Sequence, residues 1–122
     1  MQQQLNAVDY VDRTNTIHIA TRRQDGREVV TPIWGVVVDG VPYIRSGYGK
    51  ESNWYQRVQR DGGLSLVDGS RRYPATIENV GDENVIRAVD AAFERKYADE
   101  PDSLAAMVKP EARGFTMRLK AG

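Results

Sequence analysis

The chain has 122 residues, with 17 basic and 17 acidic side chains that give a net charge of zero. This length suits one domain with its own core, and we expect a single domain over residues 1–122 with a polar N-terminal arm over residues 1–12. The balanced charge provides no overall positive field for nucleic acid. The sequence contains no cysteine, which excludes disulfides, thiolate metal sites and a cysteine nucleophile.

Membrane and export signals are also missing from the sequence pattern. No apolar run approaches the roughly 18 residues of a membrane span. The first ten residues lack the basic and apolar regions of a signal peptide. We therefore expect a cytoplasmic protein that binds neither membranes nor nucleic acid, and any anion that it binds should be small and held locally.

The first half of the chain is rich in β-type residues. A short helix is predicted around Leu5 to Val11, and three strand-like runs follow within residues 17–53. Asp25-Gly26 and Asp39-Gly40 lie between these runs. A two-residue Asp-Gly loop supplies the positive φ angles of a tight hairpin, so the sequence predicts an antiparallel meander.

The run VVTPIWGVVV contains a proline, which has no backbone N–H for a strand ladder. Pro32 therefore favours either an edge strand or a bulge near Pro32 and Gly35, where a ligand could approach bare backbone. A proline on an edge strand without any functional role is the alternative. An exposed edge here would also be covered by self-association, which predicts a homodimer.

The second half of the chain alternates helices and strands. The strongest helix pattern runs from a capping Asp82 to Tyr97, with an apolar i, i+4 series and basic residues in its last turn. The other predicted elements are a helix over Ser52 to Arg60 that packs through Trp54, Tyr55 and Val58, strands over Leu64 to Val67, Arg72 to Val80 and Gly114 to Lys120, and one helical turn over Ser103 to Val108.

Together these elements define the expected fold class. Six short strands at regular spacing, with the longest helix after the fifth, favour a small closed or nearly closed barrel. We therefore predict a mainly β protein with accessory helices (α+β), built on an antiparallel split β-barrel of about six strands.

The loop SGYGKES has the parts of an anion site. Gly47 and Gly49 allow backbone amides to turn toward a ligand, and Lys50 offers a mobile positive charge. Ser46 and Ser52 offer hydroxyl groups, and the helix that begins near Ser52 adds its positive end. The alternative is a solvated turn in which Ser52 only caps the helix and Lys50 is a surface charge.

Two segments carry a resemblance to a known family. IATRRQDGREVVTPIWGVVVDG and YIRSGYGKESNW resemble the pyridoxamine-phosphate-oxidase-like split barrels, and most closely a bacterial branch of unknown function. The resemblance covers about Asp12 to Lys120. It implies a homodimer that binds flavin mononucleotide or a deazaflavin, with the cofactor phosphate on the strand-to-helix loop and the ring along the proline-containing strand.

The resemblance also implies roles for individual residues. Thr31, Pro32 and Trp34 match the strand segment beside the ring, Ser46 matches the hydroxyl position, and Lys50 matches the phosphate lysine. The loop departs from the family pattern because Gly49 and the acidic Glu51 flank the lysine, where stricter members have two cations. Arg45 or Arg72 could compensate. Ser52 completes the predicted cofactor-binding set.

Other chemistries have less support. His18 is the single histidine, and a lone histidine is more often structural than catalytic. The carboxylates show no metal-ligand spacing, so we predict no metal site. The sequence has no Gly-x-Ser-x-Gly elbow for a serine nucleophile.

Three functions remain open at this point. The first is a flavin- or deazaflavin-dependent oxidoreductase, in which the cofactor supplies the redox chemistry. The second is a dimeric module without turnover, either a small-ligand binder or a structural partner without cofactor. The third is haem binding on the same scaffold, with His18 as the imidazole ligand.

Overall fold

The computed structural model describes the backbone of residues 2–121 and the side chains of residues 6–121. In chain order the elements are α1 (Gln2–Arg13), β1 (Ile17–Arg22), β2 (Glu28–Ile33), β3 (Gly35–Val38), β4 (Val41–Arg45), a 3-10 turn (Gly49–Glu51), α2 (Asn53–Asp61), β5 (Gly63–Asp68), β6 (Arg71–Asn79), α3 (Glu83–Lys96), α4 (Pro101–Val108), α5 (Pro110–Arg113) and β7 (Thr116–Ala121).

All seven strands belong to one antiparallel sheet in the order β2-β1-β5-β6-β7-β4-β3. β2 and β3 are therefore the two edges, although only Trp34 separates them in the sequence. The sheet must curl until its edges come close together, which produces a split barrel. The predicted α+β split-barrel class is confirmed, and β2 is an edge strand as Pro32 indicated.

The strand count is seven because the run VVTPIWGVVV, which we expected to be one strand, is broken at Trp34. The expected meander is wrong for the same reason. β2 pairs with β1 and β3 pairs with β4, but β2 and β3 do not pair.

The two Asp-Gly turns have different outcomes. Asp39 and Gly40 form the predicted two-residue hairpin, with φ angles of 52° and 77°, between the paired residues Val38 and Val41. The first connection is longer than predicted, because β1 ends at Arg22 and Arg23 N then donates to Arg27 O over 2.9 Å. Gly26 still supplies a positive φ of 87° inside this loop.

The N-terminal segment is a helix, as predicted, but it is longer than expected and joins the core. Tyr10 and Val11 are buried against the sheet. The Tyr10 hydroxyl donates to Val67 O (2.7 Å) and accepts a hydrogen bond from His18 N (2.9 Å). These two bonds fix α1 to β1 and β5, and burial raises the pKa of Tyr10.

Helix α3 agrees with the prediction at both ends. Asp82 caps it by accepting hydrogen bonds from Asn84 N and Val85 N, and Tyr97 is its C-terminal cap. Val89, Phe93 and Tyr97 are buried as predicted. Ile86 is buried more fully than the predicted Val85, so the apolar stripe is shifted by one residue at its first turn.

The buried residues form two clusters. One lies inside the barrel, beneath α1 and α2, and includes Ile17, Ile19, Ile44, Leu66 and Met117. The other lies between the sheet and α3 and is centred on Val36, Val89 and Phe93. Arg45 reaches from β4 into the second region, where its guanidinium lies 5.4 Å from the Phe93 ring.

Phe93→Ala tests the second cluster. Phe93 is 0% exposed, so removing its ring should lower the free energy of unfolding by roughly 3 to 5 kcal/mol. Denaturant unfolding measures this change. Arg87→Ala is the control, because the Arg87 side chain on the same helix is 70% exposed. Equal stability of the two variants would contradict the assignment of Phe93 to the core.

Candidate functional site

A concave site with both polar and apolar walls, a cleft of about 350 Å³, lies beside the break between β2 and β3. Its walls come from the β2–β3 junction, the loop after β4, the start of α2, and α4. The lining residues are Ile33, Trp34, Arg45, Gly47, Tyr48, Ser52, Trp54, Glu100, Ser103, Ala106 and Met107. The volume falls within the usual range of small-molecule sites.

Trp34 is held in place by the end of α3. Its ring stacks on Tyr97 with a centroid separation of 3.8 Å and an interplanar angle of 7°. The Tyr97 hydroxyl donates to Asn15 O (2.6 Å) and accepts from Gly35 N (3.2 Å). The buried tyrosine thus fixes both the ring of Trp34 and the backbone that follows it.

Lys96 supports the same corner. Its ammonium donates to Val11 O (2.6 Å) and Gly35 O (2.7 Å). Burial lowers the pKa of Lys96 to about 8 and raises the pKa of Tyr97 to about 12. From the sequence, Lys96 was expected only to be a favourable cation at the end of a helix. Its bonds to the two carbonyls could not be predicted, because Val11 and Gly35 are distant in the chain.

The loop after β4 is tied together from inside. Ser46 is buried, and its hydroxyl donates to Gly49 O over 2.8 Å. Gly49 has a φ of 61°, and a Cβ there would lie 2.9 Å from the Phe115 ring. Ser46 and Gly49 therefore determine the shape of the loop. Gly47 and Tyr48, which is 80% exposed, are the loop residues that line the cleft.

Lys50 lies on the 3-10 turn and is exposed. Its ammonium makes no hydrogen bond or ion pair with any residue of the described chain. Its carbonyl accepts a hydrogen bond from Gln56 Nε2 (2.7 Å), which fixes the backbone of the turn but leaves the side chain mobile. Lys50 is close to Ser52 in sequence but does not line the cleft.

The start of α2 faces the cleft through Ser52 and Trp54. Ser52 occupies the N-cap position, yet its side chain makes no capping hydrogen bond. The first amides of a helix have no carbonyl partner within the helix. An open helix N-terminus and an uncommitted hydroxyl therefore meet at the same wall, which is a favourable place for a negative charge.

Arg45 is 1% exposed, and its donors are already engaged. They bond to Thr116 Oγ1 (2.8 Å), Asp90 Oδ1 (2.6 Å), Met107 O (3.0 Å) and Ile86 O (3.3 Å). Burial lowers the pKa of Arg45, and the bond to Asp90 opposes this shift. Arg45 thus joins β4 to α3 and α4 behind the cleft.

The remaining predicted residues do not line the cleft. Thr31 and Pro32 belong to β2 next to Ile33, and they do not line the cleft. Arg72 pairs with Glu28 through two hydrogen bonds of 2.6 and 2.7 Å, so its charge is balanced outside the loop. His18 is exposed on β1. The structure therefore brings together Trp34, Arg45 and Ser52 of the predicted set.

Sequence reasoning missed the wall formed by α4. We expected one helical turn at Ser103 to Val108, but the helix has eight residues and begins at Pro101. Glu100, Ser103, Ala106 and Met107 from this segment line the cleft. The available signal was a proline at the first helical position, with Pro110 after the helix.

The described residues contain no group of three or more His, Cys, Asp or Glu side chains arranged for a metal ion. No helix in the same part of the chain is long and apolar enough to cross a membrane.

The curled antiparallel sheet and the helices packed on it define the class of protein as an α+β split barrel. Within this class the chain belongs to a bacterial family described as "uncharacterized protein conserved in bacteria (DUF2255)", whose model matches residues 7–119. No curated protein sequence matches the chain.

Solved structures share the fold at low sequence identity. Conserved hypothetical protein Rv2991 from Mycobacterium tuberculosis has a TM-score of 0.69 and 19% identity, over 95% of this chain and 78% of that chain. HutZ, a heme storage protein from Vibrio cholerae, gives 0.67 and 13%, over 100% and 92%. An F420-H2 dependent reductase (FDR-A) gives 0.63 and 17%, over 89% and 96%. These identities establish a common fold only.

The pH dependence of stability tests the position of Lys96. The ordinary pKa of 10.5 falls to about 8 in the folded chain, so between these values the unfolded state binds more protons. The free energy of unfolding should therefore rise with pH from about 8 to 10, by about 1 to 3 kcal/mol. Above pH 10 the raised pKa of Tyr97 acts in the opposite direction.

Lys96→Met should abolish this rise when urea unfolding is measured at half-unit pH steps. Lys120→Met is the control, because Lys120 is exposed and pairs only with Glu78. A rise of equal size in wild type and Lys96→Met would show that Lys96 titrates normally.

Proposed function

We propose that the cleft binds a planar redox cofactor with a phosphate group, either flavin mononucleotide or a deazaflavin, and that the protein is an oxidoreductase through it. One observation carries the proposal. The sequence contains two tryptophans, and both Trp34 and Trp54 line the same cleft as the open N-terminus of α2. Indole rings suit a flat aromatic ligand, and the helix terminus suits its anionic end.

The residues present fit such a cofactor. Ser52 and Ser103 offer hydroxyl groups to polar edges, while Ile33, Ala106 and Met107 provide apolar walls. Flavins and deazaflavins supply hydride transfer when bound, so the protein need only orient the ring and exclude water. This explains how an oxidoreductase could work without an acid-base constellation of its own.

Each predicted site residue has a proposed part. Ser52, the first amides of α2 and the mobile Lys50 hold the phosphate, and Trp34 contacts the ring. Thr31 and Pro32 extend the wall along β2. Arg45 and Ser46 have a supporting part, because their polar groups already bond to the protein. These hydrogen bonds position α4 and the loop after β4.

The structural relatives include both a heme storage protein and an F420-H2 dependent reductase. We favour a flavin or deazaflavin over haem for this chain. The single histidine, His18, is exposed on β1 and is not among the lining residues of the cleft. Haem would therefore lack an imidazole ligand from the cleft wall.

Tryptophan fluorescence provides a direct test, since both tryptophans lie in the proposed site. Adding flavin mononucleotide or a deazaflavin should quench this fluorescence in a saturable way. Lys50→Ala should weaken binding by roughly ten- to over a hundredfold, because a charge-assisted hydrogen bond to phosphate is lost. The unfolding transition should not change, since the Lys50 side chain makes no hydrogen bond or ion pair with the described residues and its backbone bond to Gln56 is kept.

Lys120→Ala is the matched control in this titration, because it removes an exposed lysine that does not line the cleft. Equal affinity in wild type and both variants would disprove the role of Lys50. If hemin alone quenched the fluorescence, it would replace the flavin as the proposed ligand.

The alternative function is a binding module without turnover. Stopped-flow reoxidation of the reduced, bound cofactor by an added electron acceptor separates the two functions. An oxidoreductase should transfer electrons to the acceptor faster than the free reduced cofactor does. Tight binding with no such acceleration favours the module, and no binding of either cofactor favours a structural role.

We also propose a homodimer. β2 is an edge of the sheet and carries Val30, which is 47% exposed, and the exposed Pro32. A stable interface should bury at least about 1,000 Å². Light scattering at micromolar concentration should give twice the monomer mass, and Val30→Lys should shift the equilibrium toward monomer by placing like charges opposite each other. A monomeric wild type would contradict this proposal.

A further inference from the structure

A second charged surface lies at the other end of α2, away from the cleft. The hairpin between β1 and β2 meets the last turn of α2 there. Two neighbouring concavities of about 360 and 430 Å³ share Arg23, Gln24 and Arg60 in their walls, and we treat them together as one groove. Arg22, Arg23, Gln24, Arg57 and Arg60 line this groove, together with Asp25 and Asp61. A helix of this length separates the groove from the cleft by roughly 12 Å.

The positive charge of this groove is only partly balanced locally, because four arginines line it and Asp25 and Asp61 are its only carboxylates among the lining residues. Asp25 pairs with Arg27 and Asp61 pairs with Arg60. Arg22, Arg23 and Arg57 form no ion pair with the described side chains of residues 6–121, whereas most other arginines do. Their concentration in one groove is notable because the chain as a whole has a net charge of zero.

Three of the guanidinium groups each donate a hydrogen bond to an oxygen of the protein, which holds them in place. Arg57 Nε donates to the hydroxyl of the buried Thr21 over 2.8 Å. Arg22 Nη1 donates to Gly26 O over 3.1 Å, and Arg60 Nη2 donates to Arg22 O. These bonds order the side chains and leave other N–H groups of Arg22 and Arg57 free of partners within the described chain.

Part of this arrangement has a structural explanation. A cation at the end of α2 favours the helix dipole, which accounts for Arg60, and the Thr21 bond anchors Arg57. Neither explains Arg22 and Arg23, which the hairpin adds to the same groove. Holding like charges together is unfavourable unless an anion joins them.

We propose that this groove binds the polyphosphate group of a small ligand. Guanidinium groups suit phosphate oxygens because they donate two parallel hydrogen bonds. Several of them along one groove match a chain of phosphates better than a single phosphate. The zero net charge favours a small ligand over nucleic acid, since long-range attraction to a nucleic acid backbone is absent. The site is independent of the cofactor cleft.

Calorimetric titration at low ionic strength with tripolyphosphate, ATP and adenosine tests the proposal. Tripolyphosphate should bind and adenosine should not. If ATP binds as tightly as tripolyphosphate, the groove recognises phosphates alone, and if it binds more tightly, a nucleotide is the source of the group. Both results support a polyphosphate site. Tripolyphosphate should leave the fluorescence of Trp34 and Trp54 unchanged, because these residues lie in the cleft.

Arg23→Gln is the decisive variant, because the Arg23 side chain makes no hydrogen bond or ion pair with the described side chains of residues 6–121, so its loss should not affect folding. It should weaken tripolyphosphate binding by about tenfold or more. Arg71→Gln is the control, since Arg71 is also exposed and unpaired but lies at the β5–β6 turn. Flavin titration of Arg23→Gln should match wild type, whether or not the cleft binds flavin.

Three results would overturn the proposal. The first is an absence of tripolyphosphate binding in wild type. The second is equal affinity in Arg23→Gln, Arg71→Gln and wild type. The third is tighter binding of a single-stranded oligonucleotide that is weakened as much by Arg71→Gln as by Arg23→Gln, which would indicate a nucleic-acid surface.

Discussion

The barrel and the candidate cleft both depend on the corner at Trp34 and Gly35, where the chain passes from one edge of the sheet to the other. The backbone of Gly35 is bonded on both sides, its N–H to Tyr97 and its carbonyl to Lys96. A Cβ at this position would lie 2.8 Å from Ile17 Cδ1, so glycine allows the close approach. The end of α3 thus holds the start of β3 to the segment before β1, because the Tyr97 hydroxyl bonds to both Gly35 N and Asn15 O. The same tyrosine orients the Trp34 ring at the cleft wall.

Local signals predicted the elements, but not the closure of the barrel. The Asp82 cap and the apolar series of α3 act within a few turns, and the structure agrees with them. The break at Trp34 has only an ambiguous signal, because Pro32 and Gly35 indicate an edge strand or a bulge and not a change of strand partner. The chain changes partner there through the curl of the whole sheet, which only long-range pairing determines. The role of Lys96 could not be predicted for the same reason, because its carbonyl partners belong to α1 and β3, which are distant in the chain.

The structure brings part of the predicted site residues together in one cleft. Ser52 and Trp34 do meet in one cleft. Ser46 and Arg45 already have polar partners within the protein. The Ser46 partner depends on the geometry of the loop, and the Arg45 partner lies on a helix far along the chain, so neither could be inferred from the sequence. The α4 wall was missed because a short helix without a buried residue leaves a weak periodic pattern. The roles of Thr31, Pro32 and Lys50 remain predictions for the titrations above.

The position of β7 has a consequence for how the protein folds during synthesis. β7 comes after every other element in the chain, yet it lies inside the sheet between β6 and β4, where Ile44 pairs with Met117. Until this segment leaves the ribosome, β4 and β6 each present an unpaired edge. Pairings between such distant residues form slowly, and exposed strand edges promote association with other chains. The nascent protein therefore depends on its last strand, and chaperone protection before that strand emerges should improve its yield.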